Sequence, residues 1–324
     1  MYGQDLVDIE IKSTIKLLEI IHISKCCMEY KDKRYAFEIN LFHRIKSLSK
    51  NKVRGFDRLL ILIARNILKN KEGKTCVKTN YGFPMIVDPK RDQGLENKIY
   101  FTGEYETGTL KFLQSVLKNK GVFLDIGANI GLYSLYVSYY FPEIKVLSFE
   151  PLNSAHAILT ENISLNEFRN IETFNYALGS KRENLYINEH EYERGSSFIT
   201  TEPTNEEIAL FSLDEIYEDI TSEKISAIKI DVEGFELEVL KGGENTIFKK
   251  HRPIIIIECS DLRNYYKATK DDIFELVSNY EYILYKNDLG KDYLGNLIEI
   301  FQKKDLPTHD NIFCFPKEST SVVN

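Results

Sequence analysis

Three charged side chains occupy alternate positions in Lys229-Ile230-Asp231-Val232-Glu233. In an extended strand, successive side chains point to opposite faces. Lys229, Asp231 and Glu233 would then share one face, and Ile228, Ile230 and Val232 the other. A lysine and acids on a covered sheet face are costly unless they pair or serve chemistry. At a strand's carboxyl end, Asp231 or Glu233 could receive a hydroxyl proton or orient the hydroxyl, with Lys229 tuning the pair. A structural ion pair is the plainer account. Four isoleucines then lead to Glu258, which would join the same rim as a substrate-positioning acid, a metal ligand or a simple edge acid.

A second set lies upstream. In Asp125-Ile126-Gly127-Ala128-Asn129-Ile130-Gly131 an acid closes an apolar run and two glycines punctuate the turn into a helix. Backbone amides at such a turn, helped by the helix N-terminus, attract an anion such as the carboxylate of a methionine moiety. Asp125 would favour the ammonium of that moiety. A dinucleotide loop would read G-x-G-x-x-G, and Asn129 stands where its second glycine belongs, which disfavours pyrophosphate. Glu150 ends the next apolar run, where open α/β sheets place a carboxylate for both ribose hydroxyls. Each such charged hydrogen bond contributes about 1.5–3 kcal/mol.

A polar, aromatic insert between these two sets holds His190, Tyr192, Arg194, Ser196 and Ser197. Such groups suit a sugar-like acceptor, and His190 is a second candidate base near neutral pH. An exposed loop is the plainer reading. His22, His43, His156, His251 and His309 have no metal-ligand spacing.

Alternating strand and helix signals must position these groups. Apolar strands are expected at 122–126, 145–149, 171–176, 227–232 and 253–257. Helices are expected at 133–140, 154–165, 235–240 and 271–278. Near-continuous apolar strands between helices imply a parallel sheet covered on both faces, with a last antiparallel pair at 281–285 and 311–315. Two short strands flank the turn Asn80-Tyr81-Gly82. Residues 1 to about 75 read as an accessory helical segment, serving as a lid, a homodimer element or a partner surface, or simply packing onto the main domain.

Bulk properties narrow the partners. The 324 residues carry a net charge of −7, with 43% hydrophobic residues. That is enough apolar content for a core, and the wrong sign for a general nucleic-acid binder. The five cysteines, Cys26, Cys27, Cys76, Cys259 and Cys314, are odd in number and lack knuckle spacing, so reduced thiols are expected. Asp5, Asp8 and Glu10 do not suit a secretory leader, and no apolar run approaches the roughly 20 residues of a membrane span. A cytoplasmic protein without a transmembrane segment is expected.

Taken together, the motifs resemble those of FkbM-family methyltransferases. Val122 to Ser134 is similar to that family's first motif, and Phe149-Glu150-Pro151 to its second. Ala177-Leu178-Gly179 and Ser212-Leu213-Asp214-Glu215 resemble later ones. Ile228 to Gly243, reading IKIDVEGFELEVLKGG, resembles the most specific signature, and Pro253 to Glu258 follows in order. Tyr105-Glu106 resembles the family's "YE" upstream. The resemblance implies a Rossmann-like class I methyltransferase fold over 76–324, with core motifs at 121–260. Its sheet would be mostly parallel and seven-stranded, with helices on both faces. It also implies S-adenosylmethionine as cofactor and O-methylation, often of sugars in surface glycans or of natural products. By match, Asp125, Gly127, Asn129, Gly131 and Glu150 would hold the cofactor, with Asn175 and Ala177 near adenine. The catalytic base does not carry over from the family. A divalent ion on Asp231, Glu233 and Glu258 is a lesser reading. Three rivals are a non-catalytic binding module, which would show no turnover, a nicotinamide-dependent oxidoreductase, which Asn129 disfavours, and a methyltransferase acting on nitrogen, which an aromatic N-P-P-Y-type motif, absent here, would favour.

Overall fold

The computed structural model describes residues 73–260 and 269–322. The expected N-terminal helical segment therefore lies outside the described residues, save that Thr75 already opens a strand. The chain divides into two compact units after Glu104.

In the first unit, β1 (Thr75–Lys78) pairs antiparallel with β2 (Pro84–Val87). The turn between them uses Gly82 at φ 101. Helix α1 (Leu95–Thr102) was not foreseen. It stops where Gly103 turns left-handed and its N–H reaches the carbonyl of Ile99. Val77, Phe83, Met85, Ile99 and Phe101 are buried there.

The second unit opens with α2 (Thr107–Val116) and is built on an eight-stranded sheet. Its first strands are β3 (Val122–Ile126), β4 (Lys145–Phe149) and β5 (Ile171–Phe174). Helices α3 (Leu132–Tyr140) and α4 (Asn153–Leu165) connect them. A smaller four-stranded sheet follows, of β6 (Ala177–Leu178), β7 (Glu183–Asn188), β8 (Phe198–Thr200) and β9 (Glu207–Phe211), in the order β6-β9-β7-β8. Helix α5 (Leu213–Ile220), capped by the Ser212 side chain, returns the chain to the main sheet.

There β10 (Ile225–Ile230), α6 (Glu236–Gly242), β11 (Ile254–Ser260), α7 (Lys270–Asn279), β12 (Tyr282–Asn287), β13 (Leu297–Glu299) and β14 (His309–Pro316) complete the fold. The glycines expected to stop α6 do not end helical structure, which continues through Glu244–His251. The strand order is β13-β12-β14-β11-β10-β3-β4-β5. From β5 to β11 all neighbours are parallel, and β14 runs antiparallel to both β11 and β12. This is the mostly parallel, Rossmann-like sheet that was expected. The eighth strand is the three-residue β13 at one edge.

Every residue of β3 is buried, as are Ile255, Ile256 and Ile257 of β11, which explains their unbroken apolar runs. After β3 the chain winds outward through β4 and β5, then crosses back to lay β10 on the other side of β3. Strand order thus reverses between β3 and β10, the switch point at whose carboxyl ends open α/β sheets place their ligands.

Candidate active site

Register assembles the site. Lys229 pairs with Asp125, and Asp125 with Ser148, so these side chains emerge side by side from β10, β3 and β4. Asp125 is buried and accepts from Ser134 Oγ at 2.5 Å, while Ser134 Oγ lies 2.7 Å from Ser148 Oγ. Burial pushes the Asp125 carboxyl up to about 6 against the Ser134 hydrogen bond.

The loop after β3 is held by its own backbone. Gly127 has φ 80, and a Cβ there would sit 1.8 Å from the carbonyl oxygen of Asp231. Gly131 has φ 93, and its Cβ would meet Leu159 at 2.4 Å. The glycines were expected to let a ligand approach. In the fold they let the loop press against β10's end and against α4. Asn129 is left-handed at φ 49, a conformation asparagine tolerates well. Its N–H donates to Glu150 Oε2 at 2.8 Å, and the Leu152 N–H donates to Oε1 at 2.9 Å. Burial nonetheless raises Glu150 to about 7. Asn175 donates from Nδ2 to the carbonyls of Glu150 and Pro151, both at 3.0 Å, bracing that strand end. Ala177 is buried at the start of β6.

Beyond the loop lies a cluster of charge. Lys229 Nζ, 1% exposed, is 2.8 Å from Asp231 Oδ2. Glu106, Asp231 and Glu258 each place an oxygen within 4.8 Å of the other two. Lys291 Nζ bridges Glu106 Oε1 at 2.9 Å and Glu258 Oε1 at 3.0 Å. Glu106 Oε2 accepts from Tyr133 Oη at 2.5 Å and Asn311 Nδ2 at 3.0 Å. Glu258 faces Asn311 across β11 and β14. Half-exposed His309 stands 3.9 Å from Glu258.

Electrostatics separate the acids. Burial would raise Glu106, but Lys291, Lys229 and the Tyr133 hydroxyl outweigh it and hold the carboxyl down at about 2. Burial and the neighbouring Glu258 charge push Asp231 up to about 6, against Lys229. Burial opposes the charge on Lys229, yet Asp231, Glu106 and Glu258 keep it raised. One acid is thus firmly anionic, and another, with its side chain 28% exposed, is poised to exchange a proton near neutrality.

The expected site residues fall into three groups. Lys229, Asp231 and Glu258 come together at the carboxyl ends of β10 and β11. Glu233 does not join them. Strand β10 ends at Ile230, so period two no longer applies, and Glu233 sits in a left-handed turn at φ 52. The third carboxylate of the cluster is Glu106, which corrects the ligand set Asp231, Glu233 and Glu258. The insert is a separate place. The His190 N–H donates to Ser197 Oγ at 3.0 Å, and Arg194 Nε to Ser154 Oγ at 3.2 Å, while Ser154 Oγ donates to Glu189 at 2.8 Å. The two Ser154 contacts dock the insert, which holds the half-buried Ser196, against the start of α4, near enough for the Arg194 charge to act on Glu150. Lys291 and Asn311 were not foreseen. Lys291 lies in a loop with no periodic signal, and Asn311 stands among apolar residues of a late strand. Cys76, Cys259 and Cys314 are free thiols, as expected of all five. Among the described residues no helix is long and apolar enough to cross a membrane.

Residues 125–284 match the model of the methyltransferase FkbM domain. The chain is 27% identical over 191 residues to methyltransferase sdnD of Sordaria araneosa, covering 48% of this chain and 74% of that one. It is 28% identical over 142 residues to hexuronic acid methyltransferase AglP of Haloferax volcanii, covering 44% and 58% respectively. It matches only 9% of the AMB antimetabolite synthetase AmbE of Pseudomonas aeruginosa, at 28% identity over 48% of this chain. The crystal structure of methyltransferase FkbM from Methylobacillus flagellatus KT superposes with a TM-score of 0.43 at 18% identity, over 67% of this chain and 52% of that chain.

Proposed function

The chain carries an FkbM methyltransferase domain over residues 125–284, and from that premise we propose that it methylates a hydroxyl oxygen of a sugar, in a glycan or a glycosylated natural product, from S-adenosylmethionine. The observation that carries this reading is the placing of Asp231. Its backbone carbonyl abuts Gly127 of the glycine loop, and its side chain stands in the charged cluster at the strand ends.

The loop fits such a cofactor. Asn129 Oδ1 is buried and without a partner, an acceptor suited to an ammonium or hydroxyl donor. Each Glu150 oxygen accepts one backbone N–H, and a carboxylate oxygen has a second lone pair to offer a ribose hydroxyl. Asp125, Gly127, Gly131, Asn175 and Ala177 would shape this pocket around the nucleoside and its amino-acid tail. When bound, S-adenosylmethionine supplies an activated methyl group on a sulfonium centre.

The chain's own task is alignment and proton removal. Asp231 receives the hydroxyl proton on its carboxylate. Lys229 steadies the Asp231 charge before that transfer. Glu106, held anionic, and Glu258 keep both lysines charged and in place. Glu258 also orients the acceptor from the neighbouring strand. The sugar reading draws on the similar hexuronic acid methyltransferase.

Mass analysis of nucleoside co-purifying with the protein tests the cofactor. A methyl-acceptor screen with sugar nucleotides and glycan extracts tests the rest. Absence of heat on titrating folded protein with S-adenosylmethionine or its demethylated product would defeat the proposal.

A further inference from the structure

Three carboxylates whose oxygens lie within 4.8 Å of one another have the spacing of ligands to one divalent cation. In this chain two side-chain ammonium groups are seated there. Lys291 Nζ touches Glu106 at 2.9 Å and Glu258 at 3.0 Å, while Lys229 Nζ touches Asp231 at 2.8 Å. Building on the reading of this rim as the transfer site, we propose that Lys291 is a positioning residue whose ammonium fills the place a divalent cation would take among Glu106, Asp231 and Glu258.

The surroundings of Lys291 are built to deliver that charge. Its carbonyl accepts from the N–H groups of Gly108 at 3.0 Å and Thr109 at 3.2 Å, at the start of α2. Asn287 Nδ2 holds the same loop through the carbonyls of Gly290 at 2.8 Å and Tyr293 at 2.6 Å. A Cβ on Gly108 would lie 2.4 Å from the Tyr293 carbonyl oxygen, so loop and helix are in direct contact. The Lys291 side chain is 19% exposed, and the two acids it bridges are 2% and 5% exposed. A covalently delivered ammonium needs no loading step. It spans two of the three carboxylates, Glu106 and Glu258, while Lys229 takes the third, Asp231. Its three donors also order Glu106 and Glu258, as ligation to an ion would.

Removing Lys291 should therefore open a cation site. The experiment titrates the full chain with Mn²⁺, read by electron paramagnetic resonance, for wild type, K291A and the double variant K291A/E258Q. K291A is expected to bind one Mn²⁺ at least about tenfold more tightly than wild type, since ligand charge tunes carboxylate sites. The double variant should lose that gain. Turnover of K291A should fall without metal and recover in part with Mn²⁺, whereas wild-type turnover should ignore chelators. K291M keeps the side chain's volume and removes only its charge. It serves if K291A does not fold, with the same expected gain. A folded K291A that binds nucleoside normally yet takes up no Mn²⁺ overturns the inference. So does a wild-type chain that already binds Mn²⁺ in a manner abolished by E258Q. Mn²⁺ binding is read without turnover, so a chain that gains the site but methylates no acceptor defeats the functional proposal and leaves this one standing.

Discussion

Replacing Asp231 with asparagine tests the proton acceptor at the rim. The substitution keeps the shape and one acceptor oxygen facing Lys229 Nζ, which is 2.8 Å from the native carboxylate. What it removes is the capacity to take a proton. A positioned base contributes about 10²–10⁴-fold, which is about 2.7–5.4 kcal/mol of barrier. kcat and kcat/KM should fall together by at least about 10²-fold, because the proton moves only in the transition state. Stability has a pH dependence of its own. Burial and Glu258 raise Asp231 to about 6 in the folded chain, above its ordinary value. A group raised in this way stabilises the fold while protonated, below its unfolded value, and that contribution is lost as pH rises through about 6. At pH 8 that contribution is gone, and asparagine leaves the buried Lys229 ammonium without its anionic partner at 2.8 Å, so Asp231→Asn should melt below wild type while still folding. Methyl transfer is followed as demethylated cofactor released, from pH 5 to 9. With cofactor saturating, wild-type kcat should climb to a plateau with its midpoint near 6, and the variant should lose that limb. Turnover within about threefold of wild type, with the limb intact, would refute Asp231 as base.

Other perturbations probe other parts of the site. Lys229→Met removes the charge that holds Asp231 down, so the midpoint of the pH–rate profile should move upward, seen in the same assay. Glu150→Gln should weaken nucleoside binding about tenfold or more by calorimetry, since charged hydrogen bonds contribute about 1.5–3 kcal/mol. Wild-type affinity should rise with pH through about 7 as the Glu150 carboxyl ionises, and the variant should be flat over that range. Gly127→Ala puts a methyl 1.8 Å from the Asp231 carbonyl at φ 80, so urea unfolding should show a loss of about 1–3 kcal/mol or more, from overpacking and a disfavoured backbone conformation.

Much of the architecture was legible because buried parallel strands leave an unmistakable apolar record. Ile254 to Ile257 and Val122 to Ile126 could hardly be anything else, and the acids and glycines at their ends followed from where such strands stop. Legibility failed where position depends on a turn. Glu233 was placed with Asp231 by strand period, but the strand had already ended. Glu106 was visible only as half of a "YE" pair. Its role comes from a left-handed backbone at φ 47 that precedes α2. Lys291 belongs to a polar connection whose path is set by distant contacts, with no local pattern to betray it. The insert suggested a sugar-binding loop above the rim. Its Glu189 and Arg194 instead contact Ser154 and dock it at the start of α4.

The hydrogen bond between Asn311 and Glu106 spans 205 positions of the chain. Such a closure forms late, because distant segments must meet before the contact repays the lost freedom. The charged rim is therefore finished only when β14 inserts between β11 and β12. A nascent or truncated chain could have its glycine loop in place and still lack the assembled acid cluster, so activity itself reports that folding has run to completion.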